Sequence, residues 1–185
     1  MIKLDMDGVL FDIVGAVGRL FDRPNLEAEW PLGEYGFSTA LQVPEAEIWA
    51  RVDAEGVGFW ADMPVLPWAD RLVSFCFSLG MEVRIVSDTS YGRWADAGKR
   101  IALERHFGGR LAKSWHFTRF KADLAQSGRC LIDDSDENVR KFQAAGGQAV
   151  LVPQPWNALH FEEWRDPAAK FAYVKEAVLR TCVGE

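Results

Sequence analysis

Short, mostly apolar runs punctuate this chain at wide intervals. They read MIKL at 1–4, EVRIV at 82–86, RCLI at 129–132 and QAVLV at 148–152. Runs of this length, bounded by turn residues, predict buried strands. Lys113 to Phe117 predicts one more short strand. Between them the apolar spacing changes to three and four. Phe11, Val14, Val17 and Phe21 share one face of a helix over 11–22. Residues 67–79 form an amphipathic helix closed by Gly80. Residues 91–107 form one closed by Gly108, and 135–145 one closed by Gly146 and Gly147. A further helix spans about 167–182. A short helix at 44–55 begins at Pro44, with acids near its start. Residues 119–127 read as a short helix or loop. Residues 23–43 carry Pro24, Pro31, Gly33 and Gly36 and read as loop.

Strands alternating with helices imply an α/β fold: a Rossmann-like, mostly parallel sheet with helices on both faces. The stretch from about 12 to 65 breaks the alternation just after the first strand. It predicts a small helical cap over 13–64, inserted into a core formed by 1–12 and 65–185.

The 185 residues carry a formal net charge of −6. That balance argues against a nucleic-acid polymer or an anionic membrane as the main partner. No run approaches 18 apolar residues, and no leader segment is expected. Cys76 and Cys130 sit in apolar runs and read as buried thiols rather than bridges, which suits a reducing cytoplasm. His106, His116 and His160 have no ligand spacing and read as packing or surface residues. Lys99 and Lys113, taken alone, read as solvated surface lysines.

The candidate chemistry begins at DMDG. Asp5 and Asp7 are two apart, so they converge at the carboxyl end of the first strand, where open α/β sheets bind ligands. At about 4 Å and an effective dielectric of ~20, two such carboxylates repel by roughly 4 kcal/mol. A divalent cation, a lysine or a shared proton has to relieve that. The calcium-loop reading of DxDG fails because Val9, Leu10 and Phe11 stand where oxygen ligands are needed. Three further pieces fall at strand ends. Ser87 follows EVRIV and precedes Asp88 and Thr89. Lys121 lies in HFTRFKAD with Arg119. Asp133 and Asp134 close RCLI. Asp134-x-x-Glu137 also fits a helix capping box.

The order DxDG, serine after a strand, lysine, strand ending in DD resembles the haloacid dehalogenase (HAD) superfamily. DMDGVLFD, GFWADMPVLPWADRLV, RIVSDTS, FTRFK, LIDD and VPQPWN are similar to the 5′(3′)-deoxyribonucleotidases in order and approximate spacing, over residues 1 to about 157. The resemblance implies a HAD-like core and a phosphatase acting on nucleoside 5′-monophosphates. It also implies that Phe59 and Trp60 line a nucleobase pocket; read from the residues alone, the pair fits equally well as a plug in the seam between cap and core. Asp88 and Arg119 are further candidate substrate contacts, with Arg119 reading equally well as a surface charge. Two departures stand out: Ser87-Asp88-Thr89 replaces the family's Thr-Ser-Pro, and Arg119-Phe120-Lys121 replaces its Arg-Asp-Lys.

The chemistry of the residues agrees. Asp5 is the candidate nucleophile, forming an aspartyl-phosphate, and Asp7 the proton donor and later base. Mg²⁺ suits the hard oxygens of Asp5, the Asp7 carbonyl and Asp133, with Asp134 a direct or an outer ligand. Lys121 and the Ser87 hydroxyl supply positive charge and a donor for the phosphoryl oxygens. Trp49 and Trp68 read as packing residues, Trp156 as a neighbour of the site, and Asn157 equally as a neighbour of the site or as a turn residue. Other readings keep different parts of this. A phosphatase for another small phosphomonoester keeps the mechanism. A catalytically silent binding protein keeps only the pocket. A signalling receiver domain shares the acids and lysine but not the DxD spacing. Exposed aromatics on the cap would permit a homodimer.

Overall fold

The computed structural model describes residues 1–111, 114–161 and 165–184. Lys113, expected at the edge of a strand, lies outside them. Five strands form one parallel sheet: β1 (Ile2–Leu4), β2 (Val83–Ser87), β3 (Trp115–Phe117), β4 (Cys130–Asp133) and β5 (Gln148–Leu151), in the order β3-β2-β1-β4-β5. The first strand is therefore central, with β2 on one side and β4 on the other. Leu4 pairs with Ile85 and with Ile132, so the residues just beyond it come level with the ends of both neighbours. That register brings Asp5, Ser87 and Asp133 to one edge of the sheet.

Eight α-helices are described: α1 (Ile13–Leu20), α2 (Phe37–Leu41), α3 (Glu45–Ala54), α4 (Val57–Ala61), α5 (Ala69–Ser78), α6 (Ala95–Phe107), α7 (Asp136–Ala144) and α8 (Pro167–Val178). Ile2, Leu4, Ile85, Cys130 and Ile132 share the main core with α5, α6 and α8. Leu131 faces the other way, where it packs with Phe142 of α7 and Ala149. Both faces of the sheet are thus covered, as a sheet of buried parallel strands requires. The helical segment predicted between β1 and β2 is present as α1 to α4, and its side chains join the main core through Val14, Ile48, Val52 and Trp60.

Three local expectations change. Residues 23–43, read as loop, contain α2, a single turn that starts at Gly36 (φ 119°). The glycine-flanked Phe59–Trp60 stretch is not a loop but α4, entered through Gly56 at φ 71°. Both helices are five residues long, too short for periodicity to declare itself. Cys130, read as a free thiol, is paired in a disulfide with Cys182, across 5.7 Å between Cα atoms. The turn Leu179–Val183 that follows α8 runs beside β5 and brings Cys182 to β4. Cys76 is the buried free thiol that was expected, its pKa pushed up to about 12 by burial.

Candidate active site

The loop after β1 is tied down on itself. The Met6 carbonyl accepts from the backbone N–H groups of Val9, Leu10 and Phe11, and Gly8 N–H donates to Phe11 O at 2.9 Å. Gly8 holds φ at 70°, and a Cβ there would run into the Asp134 carboxylate and the Trp156 ring. Only glycine satisfies both conditions. Asp12 then caps α1, accepting from Gly15 N–H at 2.7 Å. This tight turn fixes Asp5 and Asp7 at the sheet edge.

The expected residues converge. Asp5 is buried, and its Oδ2 lies 2.8 Å from Lys121 Nζ. The same ammonium reaches Asp133 Oδ2 at 2.6 Å. Lys121 stands at the start of a 3₁₀ turn (Lys121–Leu124), which delivers it to the site although β3 ends at Phe117. Burial opposes its charge, but Asp133 and Asp5 outweigh that, and its pKa rises. Burial pushes Asp5 up to about 7. Lys121 pulls the other way, and Asp133 and Asp7 add to the rise. Asp134 is raised well above the usual carboxylate range, first by burial, then by Asp133 and Asp5.

The acidic pair divides its work. Asp133 Oδ1 accepts from Ser135 N–H at 3.0 Å and from Asn138 Nδ2 at 3.1 Å, while Oδ2 holds Lys121. Asp134 Oδ2 accepts from Trp156 Nε1 at 2.7 Å, and no described residue donates to its other oxygen. Asp134 lines the cavity described below; Asp133 does not. The capping box expected at Asp134-x-x-Glu137 is not formed. Ser135 is the N-cap of α7 and accepts from Asn138 N–H.

VPQPWN acts as a fastening. Asn157 Nδ2 donates to the backbone carbonyls of Asp134 and Val152, each at 2.8 Å. Gln154 Nε2 donates to the Gly8 carbonyl, and Lys170 Nζ on α8 donates to Gln154 Oε1 at 2.8 Å. Burial brings Lys170 down to about 8, against the attraction of Glu27 and Asp134. Trp156 borders the site as expected, whereas Asn157 only ties it together.

Asp5, Asp133 and Asp134 each offer an oxygen within 4.8 Å of the others. The other oxygen of Asp5, Oδ1, is buried with no partner. Hard oxygens in this crowding, one of them orphaned, fit a cation.

The acids open into a cavity of about 610 Å³, which Asp7, Ser87, Asp88, Arg119 and Lys121 also line. The Asp88 carboxylate accepts from Ser90 N–H at 2.7 Å, so its charge is partly used by its own turn. The far wall comes from the helical segment and the loop after β2. Trp30, Tyr35, Phe37, Trp49 and Tyr91 line it. Trp49 stacks on Tyr91 at 4.6 Å and meets Phe37 edge-on at 5.7 Å. Phe59 and Trp60, expected here, are not part of the wall. Trp60 is 0 % exposed and lies behind Trp49, at 6.4 Å and nearly parallel.

Sequence did not single out Trp30, Tyr35, Phe37 and Tyr91 of the wall, and it misplaced one charged residue. Lys99, expected at the surface, is fully buried, with Nζ 2.6 Å from Asp7 Oδ2 and 3.1 Å from Ser87 Oγ. A signal existed. Ala95, Lys99, Ala102 and Leu103 fall at i, i+4, i+7 and i+8, the spacing of the buried stripe of α6. Trp49, read as a packing residue, also belongs to the cavity wall, whereas two of the histidines stay out of the site as expected: His106 pairs with Asp70, and His160 with the Asn157 carbonyl.

The family model described as 5′ nucleotidase, deoxy (pyrimidine), cytosolic type C protein matches residues 1–181. No curated protein matches by sequence. Solved structures similar in fold include a HAD family hydrolase from Deinococcus radiodurans R1 with bound phosphate and sodium. It has TM-score 0.57 and 16% identity, covering 96% of each chain. A phosphonoacetaldehyde hydrolase-like protein from Oleispira antarctica has TM-score 0.51 and 18% identity, covering 99% of this chain and 84% of its own. CbbY from Rhodobacter sphaeroides, in complex with xylulose-1,5-bisphosphate, has TM-score 0.52 and 14% identity, covering 87% and 88%.

Proposed function

Because the chain belongs to the deoxy (pyrimidine), cytosolic type C 5′-nucleotidase family, a HAD phosphohydrolase family, we propose that it hydrolyses deoxynucleoside 5′-monophosphates in the cytosol through an aspartyl-phosphate on Asp5. The observation that carries this reading is the convergence of Asp5, Asp7, Ser87 and Lys121 on one cavity with an aromatic far wall.

In this reading the phosphate enters beside Lys121 and Ser87, with Arg119 at the cavity wall. The Asp5 carboxylate adds to phosphorus in line with the ester oxygen. That oxygen leaves as the nucleoside hydroxyl, taking the proton of Asp7. Asp7, now a carboxylate, takes a proton from water, and the hydroxide cleaves the acyl phosphate. Phosphate is released, and Asp5 and protonated Asp7 are restored. We assign a Mg²⁺ site to Asp5, the Asp7 carbonyl and Asp134. Asp133 supports it by holding Lys121, since its oxygens are already used by Lys121, Ser135 and Asn138. When bound, the ion offsets the charge that the acids and the substrate phosphate bring together.

Residues 13–64 serve as the cap in this reading, and their aromatic wall takes the base. Trp49 has Tyr91 on one side and Trp60 on the other, so Phe37 and Tyr35 are better placed to offer a free face.

The test is phosphate release from deoxy- and ribonucleoside 5′-monophosphates, with Mg²⁺ and with chelator. The expected result is chelator-sensitive release, with deoxypyrimidine nucleotides preferred. Release from other phosphomonoesters but from no nucleotide would keep the mechanism and overturn the substrate.

A further inference from the structure

Lys99 is a buried charge that the mechanism above does not use. Its ammonium has three protons, and three oxygens surround it: Asp7 Oδ2 at 2.6 Å, the Asp88 carbonyl at 2.6 Å and Ser87 Oγ at 3.1 Å. The indole of Trp60 lies beneath it, 5.0 Å from ring centre to Nζ. The side chain is 0 % exposed. With every proton engaged and no path to solvent, Lys99 is not placed to clamp a phosphate. Lys121 and Arg119 line the cavity, and Lys99 does not.

Its bonds act on the groups that do face the cavity. Asp7 Oδ2 is held by Lys99, while Asp7 Oδ1 is buried with no partner. A carboxyl group fixed at one oxygen keeps a single orientation. The remaining two bonds tie the end of β2 to the same ammonium, so the loops after β1 and β2 keep a fixed distance. The fold makes room for this. A Cβ on Gly98 would collide with the Cβ of Trp60 and come within 2.8 Å of the Val57 carbonyl oxygen. The close crossing of α6 over α4 lowers Lys99 into the gap between the two loops. This also accounts for the buried Trp60, which is the floor under Lys99.

We infer that Lys99 is a positioning residue for proton transfer, pinning Asp7 through Oδ2 so that its carboxyl group keeps one orientation toward the leaving oxygen. The inference rests on the reading of Asp7 as the proton carrier. It makes a distinction that a merely structural lysine would not. A nucleoside leaves as a strongly basic alkoxide and needs the proton, whereas 4-nitrophenolate leaves readily without it. The ratio kcat/KM reports only the steps through departure of that group.

The experiment compares kcat/KM of wild type and Lys99→Met on a deoxynucleoside 5′-monophosphate and on 4-nitrophenyl phosphate, both with Mg²⁺. Misplacing a general acid removes about 10²-fold or more, so a loss of that size is expected on the nucleotide. On 4-nitrophenyl phosphate the loss is expected below about tenfold, because little acid catalysis is there to lose. In an Asp7→Asn background, Lys99→Met should add nothing further. Equal losses on the two esters, or no loss on the nucleotide, would overturn the inference while leaving the nucleotidase reading in place. A wild type inactive on every phosphomonoester would overturn that reading and this inference with it. Should the methionine variant fail to fold, Lys99→Gln keeps a neutral donor in the slot and is judged by the same two ratios.

Discussion

At the residue scale, the site is an arrangement of charges that offset one another in pairs. Lys121 lies between Asp5 and Asp133, all three buried. Removing Lys121, the cation both carboxylates share, leaves two buried acids uncompensated, which costs about 3–5 kcal/mol. Lys121→Met should therefore lower the melting temperature as well as abolish activity. The loss of stability should shrink on acidification, when the stranded carboxylates take up protons; a loss that does not change with pH would contradict this. Asp5→Asn removes the nucleophile and one of the crowded charges together. It should eliminate phosphate release while leaving the circular dichroism spectrum and melting temperature at or above those of wild type. Residual turnover near the wild-type rate would exclude Asp5 as the nucleophile. Asp5, Asp7, Ser87 and the acidic pair were legible in the chain because each stands at a strand end, and strand ends can be read from short apolar runs; Lys121, on the 3₁₀ turn beyond β3, was legible only from its place in the order of motifs. Lys99 was not read, because a lone charged residue defaults to the surface unless its position in the helical stripe is counted first.

At the element scale, the crossing of α6 over α4 decides the position of Lys99 and the fate of Trp60. Gly98→Ala must push the helices apart or displace Trp60. Overpacking of this kind costs about 1–3 kcal/mol, and the same displacement lifts Lys99 away from Asp7. The expected outcome is a destabilised protein whose nucleotide turnover falls further than its folded fraction, measured by activity and melting on one preparation. Full activity in a destabilised protein would separate the crossing from the chemistry. The longer elements followed from periodicity, to within a few residues at each end. The single-turn helices α2 and α4 did not, since five residues give no repeat to recognise. Of the two placements open to the aromatic pair Phe59–Trp60, against a base or in the seam of cap and core, sequence could not choose for the same reason: as a loop the pair faces a ligand, and as a helix packed under α6 it puts Trp60 in the core. Asp134 was drawn by sequence into a capping box that Ser135 fills, which leaves Asp134 to face the cavity.

At the scale of the whole molecule, the fold holds several carboxylates closer than water would allow and so links stability, pH and metal. The folded-state pKa of Asp5 is about 7, against 3.8 for an ordinary aspartate. Between those values the native protein holds a proton that the unfolded chain has released. Native stability from this group is greatest at the acid end and is lost as pH rises through about 7. Asp134 shifts in the same direction. A cation in the site takes the place of those protons, so Mg²⁺ should raise the melting temperature more at pH 8 than at pH 5, relative to chelator. An equal rise at both pH values would place the ion elsewhere. No described helix is long and apolar enough to cross a membrane. By itself the sequence determined the parallel α/β core, the insertion after the first strand and the acids, serine and lysine of the site. These depend on local spacing and on chain order along a sheet with one handedness. Only the tertiary structure decided that Lys99 is buried against Asp7, that Asp134 rather than Asp133 meets the cavity, that Trp60 is floor and not wall, and that Cys130 meets Cys182. Each of those depends on which residue of one element lies against which residue of another, and short-range pattern carries no record of that distance.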